Sequence, residues 1–145
     1  MTRSTAFAAL TAMTAAIAPL TAHAIGGDLA TQPIALEALE IGQGDNGFGV
    51  SVAEYRLQTG QAYSLQINAV GWHECNWQAP SFFRNAWLRK IEAGGMEIKV
   101  PSLNELEMTS DGEAELFFVP IRPGTYDWGC RGLEDRGLAG VFIVQ

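Results

Sequence analysis

The sequence predicts an all-β domain folded as an antiparallel sandwich or barrel. Segments in which apolar and polar residues alternate are short, and they recur about every eight to twelve residues, the spacing of strands joined by turns. Glycine-containing turn clusters separate these segments. No segment outside the N-terminus is long and periodic enough to form a sizeable helix.

The first half of the chain provides four predicted strands. Residues 34–41 mix leucine, alanine and glutamate, but they are few and lie between a proline and a glycine, so we predict an edge strand rather than a helix. Residues 48–57 and 63–67 alternate apolar and polar side chains, as half-buried strands do. A short strand is predicted over residues 75–79, and Pro80 ends it.

The second half continues the pattern. Residues 81–86 show no period and are predicted to be irregular, whereas residues 87–92 and 96–100 alternate and are predicted strands. A further strand follows over residues 114–118, and a Pro-Gly turn joins it to a strand that ends in Cys130. A glycine-rich loop then leads into a last apolar strand.

The N-terminal 24 residues have the features of a secretory signal peptide. Arg3 is their only charged residue, residues 6–20 are apolar and rich in alanine, and Ala22-His23-Ala24 fits a small-x-small cleavage site. A membrane anchor is the alternative, but the apolar run is interrupted and shorter than the roughly 20 residues of a membrane span. We therefore predict a single domain over residues 25–145, located in the periplasm or secreted.

The charge of the chain narrows the classes of partner. The formal net charge is −7, and cleavage of the signal peptide would remove one positive charge and no acid. An acidic domain is poorly suited to nucleic acid, because the phosphate backbone requires a basic face. It suits a basic protein partner. No second long apolar run occurs, so we expect no membrane span after cleavage.

Few residues are available for chemistry. After signal cleavage, His73 would be the only histidine, and Cys75 and Cys130 are the only cysteines. We find no Ser-His-Asp set, paired-carboxylate motif or phosphate-binding loop, so we predict that the chain is not an enzyme. In an oxidising compartment an even pair of cysteines indicates first a disulfide.

Two β-sandwich families share parts of this pattern. The order Cys75, Trp87, Cys130 is similar to the Cys–Trp–Cys pattern of immunoglobulin-like adhesion or ligand-binding domains, although Trp128 stands where that family has a tyrosine. The pattern Pro120-x-x-Pro123-Gly124-x-Tyr126-x-x-x-Cys130 resembles the penultimate strand of the cupredoxins, the blue-copper family. This second resemblance implies a Greek-key antiparallel β-sandwich of the cupredoxin type. It is closest to the cupredoxin-like domain of bacterial periplasmic proteins of the EfeO iron-uptake type.

The cupredoxin resemblance also implies a degenerate copper site. In that family the cysteine binds copper as a thiolate, a histidine ligand follows three residues later and an axial methionine about eight residues later. Here Leu133 and Leu138 occupy those positions, and leucine cannot coordinate a metal. The resemblance therefore implies no cofactor and an accessory module that acts through a protein partner, in a respiratory or metal-uptake system.

The remaining family ligand is a histidine, and either His73 or Cys75 could occupy its place. We prefer Cys75, because a tryptophan two residues later would then pack into the core. With cysteine at both ligand positions, the resemblance implies a Cys75–Cys130 disulfide where copper would bind. The alternative is a copper-handling protein, a Cu(I) carrier or an atypical electron-transfer protein. It would use His73 and both cysteines, with Met96 or Met108 as a thioether ligand.

Two segments are candidates for partner docking. Trp72 lies in the predicted loop before Cys75 and is the tryptophan that we most expect to be exposed. Residues 82–90 form the only basic and aromatic segment of an acidic chain, and they either dock a partner or cap the sandwich. The docking residues that we predict in these segments are Trp72, Phe82, Phe83, Arg84 and Arg89.

Overall fold

The computed structural model describes residues 32–109 and 111–145, and these residues form two packed β-sheets. The predicted signal peptide lies outside the described residues. The strands of the described part are β1 Ile34–Ala35, β2 Leu39–Gln43, β3 Gly49–Val50, β4 Glu54–Leu57, β5 Tyr63–Ala69, β6 Cys75–Gln78, β7 Ala86–Ala93, β8 Met96–Ile98, β9 Leu106–Met108, β10 Glu113–Pro120, β11 Gly124–Cys130 and β12 Ala139–Val144. A short helix, α1, spans Pro80–Phe83, and a 3₁₀ turn spans Glu134–Arg136.

The two sheets confirm the predicted β-sandwich. The first sheet has the order β3-β2-β5-β10-β7-β8, with β1 also beside β5, and the second has the order β4-β12-β11-β6-β9. Most neighbouring strands are antiparallel. However, β1 and β2 run parallel to β5, and β4 runs parallel to β12. Of the strands before β5, only β4 lies in the second sheet, and β2 and β3 form an antiparallel hairpin in the first.

Two predicted strands are divided in the structure. The segment predicted as one edge strand, residues 34–41, forms β1 and β2, and β2 is covered by β3 on its outer side. Residues 48–57 form β3 in the first sheet and β4 in the second. Ser51 stabilises the bend between them, since its hydroxyl accepts a hydrogen bond from the Glu40 amide at 2.8 Å and donates one to the Ala38 carbonyl at 2.9 Å.

The core is closed by α1, which the sequence predicts as irregular chain. Pro80 is at the first turn of this helix, where its missing amide costs no hydrogen bond. Phe82 is fully buried between the sheets, with its ring centroid 5.1 Å from that of Phe118 in the first sheet and 4.4 Å from that of Phe142 in the second. The helix therefore fills the space between the two sheets with an aromatic side chain.

The Pro-Gly turn is fixed by a tyrosine. Tyr126 donates a hydrogen bond from its hydroxyl to the carbonyl of Arg122, four residues earlier, at 2.9 Å. One close approach in the second sheet requires a glycine, because a Cβ at Gly140 would lie 2.3 Å from the ring of Trp128. Within the part of the chain that the structure describes, no helix has the length and apolar character of a membrane span.

Candidate functional site

The predicted cysteine pair forms a disulfide at one end of the sandwich. Cys75 is the first residue of β6 and Cys130 the last residue of β11, and their Cα atoms are 5.0 Å apart, within the range that a disulfide requires. Because β6 and β11 are neighbours in the second sheet, the bond crosslinks two strands of one sheet. Both residues are only 1% exposed. Solvent and other proteins therefore have little access to the sulfur atoms.

The loop after Cys130 folds back over the disulfide end. The Leu133 amide donates to the Cys130 carbonyl, and the Cys130 amide donates to the Leu138 carbonyl, each at 2.9 Å. Leu138 is 1% exposed and belongs to the core, and Leu133 is half-buried against it. The loop is thus fixed to the end of β11 by backbone hydrogen bonds, and it contributes two apolar side chains to the core and its edge.

A stack of four side chains lies on the loops at this end, and it includes His73. The His73 ring is stacked on the Phe48 ring, with their centroids 4.2 Å apart. The Arg136 guanidinium lies 3.7 Å from the centre of the Phe48 ring. Two groups so close to one ring must occupy opposite faces. Trp72 lies beside His73, with the ring centroids 5.4 Å apart and the ring planes tilted by 48°. We name Trp72, His73, Phe48 and Arg136 the aromatic stack.

The aromatic stack explains where His73 is held. Its Nε2 atom lies 3.2 Å from the Asn46 carbonyl, and Gly47 is packed against both the His73 and Trp72 rings. Sequence reasoning missed Phe48 and Arg136, because they join His73 only when three distant loops meet. No spacing along the chain could have indicated this contact.

The structure corrects the predicted docking set. Phe82 is 0% and Phe83 3% exposed, because α1 directs both rings into the core, so neither can contact a partner. Trp72 is 65% exposed and follows the end of β5 that pairs with the start of β10. Arg84 precedes β7, which begins beside the other end of β10. Trp72 and Arg84 therefore lie at opposite ends of the first sheet.

Arg89 belongs to neither end. A bulge in the pairing of β7 with β10 turns both Arg89 and Lys90 toward the outer face of the first sheet. The Lys90 ammonium lies 4.4 Å from the centre of the Phe117 ring and pairs with Glu92 and Glu97. The predicted docking residues thus do not form one surface, and of this set only Trp72 lies at the disulfide end.

Acidic side chains surround the disulfide end on the second sheet. Glu74 precedes Cys75, and Glu107 lies on β9 opposite the following residue. A hydrogen bond with the Glu74 carboxyl, together with repulsion between the two groups, raises the pKa of Glu107, and Arg131 acts in the opposite direction. Arg131 also forms a salt bridge with Glu105 at 3.2 Å.

The comparisons with known proteins identify the architecture. No protein-family model matches the chain, and no curated protein sequence matches it. Among solved structures, auracyanin B superposes with a TM-score of 0.51 at 15% identity, covering 79% of this chain and 91% of that chain. A copper nitrite reductase from Nitrosomonas europaea gives a TM-score of 0.60 at 8% identity, covering 81% of this chain. A multicopper oxidase from Campylobacter jejuni gives a TM-score of 0.56 at 12% identity, covering 79%.

The fold is that of the cupredoxins. At these identities the similarity shows the fold alone. The chain corresponds to 51% of the nitrite reductase chain and 31% of the multicopper oxidase chain, so both contain much that this chain lacks. Because the fold is that of the cupredoxins, the immunoglobulin-like alternative is wrong.

The residues at the disulfide end do not fit the copper ion that a cupredoxin fold implies. The two sulfur atoms are bonded to each other, so neither is a thiolate donor. The side chains of Leu133 and Leu138 have no donor atoms. Within residues 32–109 and 111–145, no three His, Cys, Asp or Glu side chains are grouped closely enough to hold a metal ion. His73, which the alternative requires as a ligand, is stacked on Phe48.

Proposed function

We propose that this chain is an exported accessory module with a cupredoxin fold, in which the Cys75–Cys130 disulfide replaces a metal site and function depends on a protein partner. The observation that carries the proposal is the pair of bonded, buried cysteines, in a chain that has Leu133 and Leu138 where the resemblance expects two copper ligands. A metal ion that crosslinks β6 and β11 and a disulfide between the same strands perform the same structural task, because both hold the two strand ends together. The module has neither a metal nor an enzymatic activity.

The partner-binding surface is the disulfide end, around Trp72. Trp72 and Val70 are 65% and 50% exposed, so two large apolar side chains are open to solvent on one short loop. The aromatic stack holds the Trp72 ring from behind, so it can bind with little loss of side-chain entropy. The resemblance of the sequence to EfeO-type domains favours a partner from a respiratory or metal-uptake system in the periplasm.

The first experiment measures the cysteines and the metal together. We expect the mass of the purified protein, alkylated without reductant, to show no free thiols, and reduction to allow two alkylations. We also expect no stoichiometric metal in the untreated protein. Two free thiols in the untreated sample would refute the proposal. If copper also binds and binding requires His73, the copper-handling alternative would replace it.

The second experiment tests the partner surface. The purified protein is crosslinked in periplasmic extract to the proteins that bind it. The yield of the crosslinked product is compared between the wild type, Trp72→Ala and a matched control, Trp87→Ala. Trp87 is 42% exposed, but it lies on the outer face of the first sheet. We expect Trp72→Ala alone to abolish the crosslinked product. Equal yields from all three proteins would remove the disulfide end as the docking surface.

A further inference from the structure

A groove crosses the outer face of the second sheet, beside the strand that carries Cys130. Its volume is about 540 Å³. The residues that line it include Gln78, Ser81, Asp127, Gly129, Glu134 and Val141. It is separate from the aromatic stack, since none of the four stack residues lines it.

The floor of the groove exists because position 129 is a glycine. Gly129 lies between Gln78 on β6 and Ala139 on β12, and a side chain there would fill the depression. A Cβ on Gly129 would meet the Glu134 side chain and the Leu138 carbonyl, each at 2.9 Å. The stem of Glu134 therefore lies over the floor, and its carboxylate belongs to the groove.

The groove is negatively charged and has no internal counter-charge. Asp127 and Glu134 are exposed, and neither forms a salt bridge with any residue in 32–109 or 111–145. No lysine or arginine lines it. Arg84 does not line the groove, although its guanidinium donates at 3.2 Å to the hydroxyl of Ser81, which does.

This combination selects one kind of ligand. Val141 lies opposite Asp127 on the neighbouring strand, so apolar surface and a carboxylate are side by side. A lysine or arginine side chain presents the same two features, an aliphatic stem and a cationic tip. A neutral apolar ligand would leave the carboxylates desolvated, and an anion would be repelled.

We propose that this groove binds a lysine- or arginine-bearing segment of a partner polypeptide. The inference deepens the proposed function, because it states the chemistry of the partner at a second surface. A polypeptide rather than a free amine is the occupant because the groove lies on the outer face of a sheet, where a chain can cross it, and a protein partner is already proposed. The net charge of −7 adds long-range attraction for such a segment.

The test titrates the purified, oxidised protein with a fluorescein-labelled Lys-Gly-Lys-Gly-Lys peptide and follows fluorescence anisotropy at two salt concentrations. The test variant is Asp127→Asn/Glu134→Gln. The matched control is Glu113→Gln/Glu115→Gln, which removes two carboxylates from the outer face of the first sheet. We expect the test variant to weaken binding roughly fivefold at low salt, as for two surface ion pairs, and the control to change it less than twofold.

Each other outcome overturns the groove. Equal weakening by both variants would show attraction to total charge, and no binding by the wild type would show that the groove takes no cationic segment. If 1,5-diaminopentane competes as well as the peptide at equal concentration, the occupant is a small amine. The oxidation state of the cysteines is measured on the same samples. If the wild type has an intact disulfide but does not bind the peptide, the proposed binding at the groove is wrong and the proposed accessory module is not contradicted.

Discussion

Removal of the disulfide should destabilise the protein strongly, because the bond closes a long loop. Cys75 and Cys130 are 55 residues apart, and in the chain-entropy model closing such a loop stabilises the fold by about 4 kcal/mol. A domain of this size has a total stability of roughly 5–15 kcal/mol. We therefore expect Cys75→Ala/Cys130→Ala to lower Tm by about 15 °C.

The assay is thermal and urea unfolding followed by circular dichroism, on the oxidised wild type, the reduced wild type and the double variant. The reduced wild type controls for packing, since it keeps both sulfur atoms in the core but leaves the loop open. We expect the reduced protein and the double variant to lose similar stability. If the Tm of both proteins is within about 3 °C of the Tm of the oxidised protein, closing the loop does not stabilise the fold and the prediction is wrong.

Three further changes test the packing and the electrostatics of the fold. Phe82→Ala should cost about 4 kcal/mol in urea unfolding, because it empties the space between the sheets that α1 fills. Gly140→Ala should cost about 3 kcal/mol or more and change the near-ultraviolet dichroism, since the new methyl group would lie 2.3 Å from both the Trp128 ring and the Ala53 carbonyl, and both must move. Burial, with a smaller effect from Glu37, raises the pKa of Tyr55. Stability should thus be kept below pH of about 10, where an unfolded tyrosine stays protonated, and decrease above it, and Tyr55→Phe should remove that decrease.

The controls for these three changes are of different kinds. For Phe82, the control is the conservative variant Phe82→Leu, which should recover much of the stability that Phe82→Ala loses. For Gly140, unchanged dichroism would contradict the close approach to Trp128. For Tyr55, an equal loss of stability between pH 9 and pH 11 in wild type and Tyr55→Phe would show that another group is responsible.

The fold class could be predicted from the sequence because strand periodicity is local. β5 and β11 show this periodicity, because each strand stays in one sheet and its alternate side chains face the opposite sheet. Residues 48–57 show the limit of this reasoning. Their alternation continues through a bend at which the chain changes sheets, and a period of two does not record which sheet a strand joins. The pairing partner is set by distant residues.

The candidate site divides in the same way. The cysteine pairing was predictable from composition, because two cysteines in an oxidising compartment have one possible intramolecular pairing. The Phe82-Phe83 pair lies in a basic segment without a period, and for this segment the sequence leaves docking of a partner and capping of the sandwich open. A single helical turn cannot establish a period, so nothing in the sequence indicated that Pro80 starts a helix that buries both rings.

The anchoring of Gln145 has a use for measurement. Gln145 is fixed to the sheet, because its amide donates to the Leu57 carbonyl at 2.9 Å and its carbonyl accepts from the Thr59 amide at 2.8 Å. β12 runs away from the disulfide end toward this residue. A sensor chip that holds the protein through Gln145 would therefore display Trp72 outward on every molecule, in a single orientation. Partner binding could then be timed without the averaging that random attachment introduces.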